Sequence, residues 1–195
     1  MKKIALITIA AILLALSGLG LSPAPFNGEY ANAATGHLTP AYNRSDWPHW
    51  IDKDSDCQNT RAEILLRDNV GTIKFKRNKP CNVSWGRWIC PYSGKEFTKA
   101  SDMDIDHLVP LANANEMGGA QWTRERKREF ANDPLNLIAV EKKVNRKKGD
   151  RGPEKWRPPD HAFWPEYAKR WRAVKKKYGL TISAKEETAL WEMGR

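Results

Sequence analysis

The chain is short of cysteine and of long apolar runs, and each shortage excludes something. Cysteine occurs three times, as Cys57, Cys81 and Cys90, so at most one internal bridge can form and one thiol is left over. No Cys-x-x-Cys pair occurs, which argues against a structural zinc site of the four-thiolate kind. After Leu21 no apolar stretch is long enough to cross a bilayer, and no segment repeats. Acidic residues are outnumbered, 23 against 33 Lys and Arg, giving a formal net charge of +10. That excess favours polyanionic partners: nucleic acid, anionic membrane or wall polymer.

What is present reads as globular. The 195 residues are 41% hydrophobic and 29% charged, enough for one domain with a core. Lys2 and Lys3 precede a nearly continuous apolar run from Ile4 to Leu21, which Pro23 and Pro25 end. With Ala31-Asn32-Ala33 following the small-x-small rule, residues 1–33 read as a signal peptide, cleaved before Ala34. An uncleaved anchor is the alternative, since the run could span a bilayer. Cleavage removes two lysines and one glutamate, so the exported remainder, 34–195, stays basic. Export implies an oxidising compartment in which cysteines tend to pair.

Along that remainder, residues 35–45 read as an extended lead-in, and Trp47 and Trp50 as packing residues. Asp52, Asp54 and Asp56 read as a solvated turn; the offsets of a calcium loop are missing, which leaves calcium a weak alternative. Asn59-Thr60 caps a helix from Arg61 to Asp68. Gly71 to Trp88 reads as strands, and Pro91 to Gly94 as a turn. Leu111 to Met117 suits a short helix stopped by Gly118-Gly119, and Thr123 caps a basic helix, Arg124 to Ala131. Leu135 to Val140 is a short apolar strand, and Glu141 to Lys148 a helix ending at Gly149 with cations in its last turn. Phe163 to Tyr178 is a long amphipathic helix, and Ser183 with Glu186 forms a capping box for a last helix.

The chemistry concentrates between Asp102 and Asp150. Phosphodiester cleavage needs an activated water, a divalent ion and cations that hold the backbone. His107 suits a general base near neutral pH, and Asp106 a hard oxygen ligand. Asn145 offers a neutral oxygen donor one turn into the closing helix. Arg146 and Lys148 are cations suited to phosphate, with Arg124 and Arg128 as flanking candidates. Neighbours on a strand face opposite ways, so Asp106 and His107 share a site only where the strand ends or twists. Asp104 shares Asp106's face as a possible second ligand or orienter, and the Asn136 amide can pin the loop or the His ring.

The set Asp106-His107, Asn136 and Asn145-Arg146-x-Lys148-Gly149-Asp150 resembles the HNH endonucleases of the ββα-metal fold. More closely, Asp104 to Ala112, Gly119-Ala120 with Trp122, Phe130 to Asp133 and Trp156-x-Pro158-Pro159 look like a bacterial secreted HNH subfamily. That subfamily is related to the C-terminal domain of GmrSD-type restriction endonucleases. The resemblance implies Asp106 and Asn145 as metal ligands, His107 as base and Asn136 as the residue holding loop and base. It also implies a Cys57–Cys81 bridge with Cys90 free, because Cys90 stands where relatives lack cysteine.

The resulting expectation is an α+β fold: one HNH domain over 34–195, its ββα core at about 83–150, with flanking helices and a small N-terminal strand region. The expected activity is that of an exported endonuclease using Mg²⁺ or Mn²⁺, without structural zinc. It would hydrolyse DNA, or RNA, with little sequence specificity, acting on double-stranded DNA as a monomer with no stable membrane association after processing. The competing expectation is a noncatalytic secreted module that binds nucleic acid or wall polymer.

Overall fold

Capping side chains set where the helices begin. The computed structural model describes residues 40–195; the expected signal peptide lies outside them. Asn59 accepts from the Ala62 N–H and starts α1, Thr60–Arg67. Thr123 accepts from the Arg126 N–H and starts α3, Arg124–Ala131, while α2, Leu111–Ala114, precedes it. α4 spans Lys142–Lys148, and α5, Trp164–Tyr178, carries Pro165 in its first turn, where a missing N–H costs nothing. α6, Ala184–Met193, has the full capping box: Ser183 Oγ bonds the Glu186 N–H, and Glu186 returns to the Ser183 N–H at 2.7 Å.

Among the described residues five strands make two antiparallel sheets, and the fold is α+β. β1 (Lys74–Phe75), β2 (Val83–Ile89) and β3 (Glu96–Lys99) form one sheet in that order. β4 (Met103–His107) pairs with β5 (Leu137–Glu141), with Asp104 opposite Val140, Asp106 opposite Ile138 and His107 opposite Leu137. α4 follows β5 directly, which closes a strand–strand–helix unit.

Alternation along β4 and β5 feeds two cores. Met103 and Ile105, with Leu137 and Ala139, pack into a smaller core with Leu65 of α1 and Trp88 of β2. The Trp88 indole N–H donates to the Leu65 carbonyl at 2.8 Å and locks helix to sheet. Ile138 and Val140 face the larger core, where α5 contributes Tyr167, Trp171 and Val174. A buried ion pair ties α5 to α6: Lys175 Nζ lies 3.0 Å from Glu186 Oε1, and both side chains are essentially inaccessible. Asn113 adds a bond to the same carboxylate at 3.0 Å, bringing α2 into the network.

One helix ends earlier than expected and one strand was not expected at all. The helix expected to Met117 stops at Ala114 and widens into a π turn over Asn115–Gly119. Gly118 sits at φ +125°, and the Met117 carbonyl accepts from Thr181, so the last turn is drawn toward the α5–α6 connection. β3 has no counterpart among the expected elements; it is short and half charged, with little apolar alternation to announce it. Cys57 and Cys81 form a disulfide with Cα atoms 4.9 Å apart, and Cys90 is free and buried.

Candidate active site

β4 ends in the site, and its two faces deliver different groups. Asp104 and Asp106 lie on the face toward α4. Asp106 is 5% exposed and both of its oxygens are engaged: Oδ2 accepts from the Tyr92 hydroxyl at 2.6 Å, Oδ1 from Lys148 Nζ at 3.0 Å. The Lys148 ammonium also donates to the His107 carbonyl at 2.9 Å. Burial pushes Asp106 up and Lys148 down, and each charge is the chief influence holding the other toward its ionised form. Burial, with the Asp106 charge beside it, keeps the Tyr92 phenol protonated as a donor.

His107 points to the other face. Its Nε2 lies 2.8 Å from the Ala131 carbonyl at the end of α3. A carbonyl only accepts, so Nε2 carries the proton and Nδ1 of the neutral ring keeps its lone pair. Burial lowers the imidazole to about 3, so the ring is neutral at physiological pH. Trp50 stacks on it at 5.7 Å and 23°, and His49 meets it edge-on at 6.4 Å.

Trp50 has φ +58°, a left-handed conformation that costs a bulky residue about 1–3 kcal/mol. Asn132 holds it there from both sides, donating to the Pro48 carbonyl at 2.8 Å and accepting from the Ile51 N–H at 3.3 Å. Trp47, fully buried against Phe130, anchors the same segment.

Two asparagines fix the surroundings. Asn136, fully buried, accepts from the Val109 N–H at 2.8 Å and donates to the Val109 carbonyl at 3.0 Å. It therefore pins the loop after β4 rather than the His ring. Asn145 donates to Asp104 Oδ2 at 3.3 Å, which leaves its amide oxygen for a ligand.

These elements border a cleft of about 360 Å³ whose lining includes Tyr42, Arg44, Asp106, His107, Asn145 and Arg146. Asp106 and His107 thus face opposite ways along the strand and meet only where it ends. An Asp carboxylate and an Asn amide oxygen are hard donors suited to Mg²⁺ or Mn²⁺, and each Asp106 oxygen retains a lone pair beyond its one hydrogen bond. The donor set fits such an ion.

The other cations expected at phosphate are not gathered there. Lys148 is fully buried and paired with Asp106, so it does not meet solvent; the expectation of a phosphate contact is corrected. Its position one turn after buried Val144 carried that signal. Arg124 and Arg128 line a separate hollow with Pro48 and Ile51. Asp52, Asp54 and Asp56 bring carboxylate oxygens within 4.8 Å of one another, all exposed and bonded to backbone N–H groups of their own turn.

Sequence reasoning passed over Tyr92, Arg44 and Trp50. Tyr92 is fourteen residues from Asp106 and sits in a segment that reads as a turn. The other two fall among residues read as lead-in and packing.

No solved structure matches the chain. An "uncharacterized secreted protein" of the fungus Arthroderma benhamiae is 44% identical over 154 residues, covering 78% of this chain and 74% of that protein. That relative is fungal, whereas the resemblance seen in sequence was to a bacterial subfamily. The match to "GmrSD restriction endonucleases, C-terminal domain" runs over residues 59–193 and takes in β4, β5, α4 and all five side chains Tyr92, Asp106, His107, Asn136 and Asn145. The chain belongs to the family of GmrSD restriction endonuclease C-terminal domains.

Proposed function

We propose that the chain is an exported, metal-dependent HNH endonuclease that hydrolyses DNA with little sequence specificity. The observation that carries this reading is the His107 ring, oriented by the Ala131 carbonyl through Nε2 and with Nδ1 left without a hydrogen-bond partner on a cleft that also contains Asp106 and Asn145. Export is supported by the N-terminal charge and apolar pattern and by the relative named as secreted.

In this reading His107 Nδ1 takes a proton from a water, which attacks phosphorus. The bond from phosphorus to the 3′ oxygen breaks and that oxygen takes up a proton from solvent, leaving a 5′-phosphate on one product and a 3′-hydroxyl on the other. Mg²⁺ or Mn²⁺ held by Asp106 and Asn145 would supply charge stabilisation at the phosphate and the leaving oxygen. Tyr92 and Lys148 hold the Asp106 carboxylate in place. Asn136 fixes the loop that follows the base, and Arg146, exposed on α4, holds a phosphate oxygen.

Supercoiled plasmid incubated with Mg²⁺, with Mn²⁺ and with chelator tests the reading. Nicking that requires the metal is expected. Plasmid that is retarded but intact under every condition would replace it with a binding module.

A further inference from the structure

The cleft has a second exposed cation, and it comes from outside the family match. Arg44 lies fifteen residues before the matched region begins at residue 59, yet it lines the cleft with Asp106, His107 and Arg146. Among the described residues no carboxylate lies within ion-pair distance of its guanidinium, whereas buried Lys148 is committed to Asp106 and the His107 carbonyl. His49 holds Arg44 instead. The His49 Nδ1 lies 2.9 Å from the Trp47 carbonyl and so carries the proton, which leaves Nε2 to accept from Arg44 Nη2 at 3.4 Å. His49 takes one of the five N–H donors and the neighbouring Tyr42 hydroxyl competes for another, which leaves the remainder of the fork for a planar or tetrahedral oxyanion.

The segment is braced. Asn43 accepts from the Ser45 N–H, Trp47 is buried in the larger core, and Asn132 clasps the chain at Pro48 and Ile51.

We propose that Arg44 is a phosphate-binding residue of the cleft, so that the segment 42–50 supplies one wall of a nucleic-acid site and Arg146 another. This rests on the nuclease reading for the identity of the ligand, a phosphodiester of DNA.

Binding of a labelled DNA duplex by the purified protein, followed by anisotropy in chelator over a salt series, tests it. Arg44→Ala should bind about tenfold more weakly or worse, with a salt slope shallower by about one. Arg44→Lys should keep the slope and lose part of the affinity. Lys169→Ala removes an equally positive but exposed α5 side chain and should change neither. Melting curves check folding, and Arg44→Gln stands in should the alanine variant unfold.

Wild-type affinity and slope in Arg44→Ala, from a protein that nicks plasmid, would overturn this proposal and leave the nuclease reading standing. Arg44-dependent binding by a wild type that cleaves nothing would support the proposal and overturn the hydrolysis. A wild type that neither binds nor cleaves DNA would overturn both.

Discussion

The Nζ of Lys148 lies 3.0 Å from the Asp106 carboxylate and 2.9 Å from the carbonyl oxygen of His107. One buried cation thus fastens the last turn of α4 to the end of β4, where the site's acid and base separate to opposite faces. The charge reads in sequence as a solvent-facing phosphate contact. In the fold it is internal, and Asp106 answers it.

Breaking that pair strands a charge in the interior. Lys148→Met should destabilise the protein by about 3–5 kcal/mol in urea unfolding. Adding Asp106→Asn should recover part of the loss, because the orphaned carboxylate is then neutral. A single-variant loss below about 1 kcal/mol would mean the pair does not hold the ββα unit together.

Asp133 links the α3–β5 turn to the end of α5. Burial raises its carboxyl, but Lys177 at 2.7 Å, the Leu135 N–H at 3.0 Å and the Tyr178 hydroxyl at 2.8 Å outweigh burial and leave it below the usual range. A depressed folded value means the unfolded chain binds the proton more readily. The stability from Asp133 is therefore complete above the unfolded value of about 3.9 and is lost as pH falls through the folded one. Asp133→Asn should flatten the acid side of the stability profile; an unchanged slope below about pH 4 would contradict this.

The Cys57–Cys81 bridge closes a span of 24 residues running from the acidic turn to the start of β2. Replacing both cysteines by serine should cost about 3 kcal/mol through the freed unfolded chain. Cys90, buried with its sulfur 3.1 Å from the Glu141 N–H, should react with thiol reagents only on unfolding. Rapid labelling of the native protein would show that its surroundings open.

Much of this was legible in the sequence, for local reasons. Asn59, Thr123 and Ser183 announce their helices because a capping side chain and its N–H partner lie within three residues. The apolar strand before the α4 cations announced β5 and the helix after it. Partnerships across the chain were not legible. Tyr92 with Asp106, and Trp50 with His107, come from segments with no periodicity of their own, and only the packing of α3, α5 and the Trp47 anchor brings them in. Lys148 was legible in principle, since spacing from Val144 gives its face, but its charge argued the other way.

Nicking of supercoiled plasmid by wild type and His107→Ala, side by side in Mg²⁺, decides whether His107 is the base of a metal-dependent nuclease. Nicking by the wild type is expected, with a loss of at least about a hundredfold in a variant that melts as a folded protein. Undiminished nicking by His107→Ala would contradict that role.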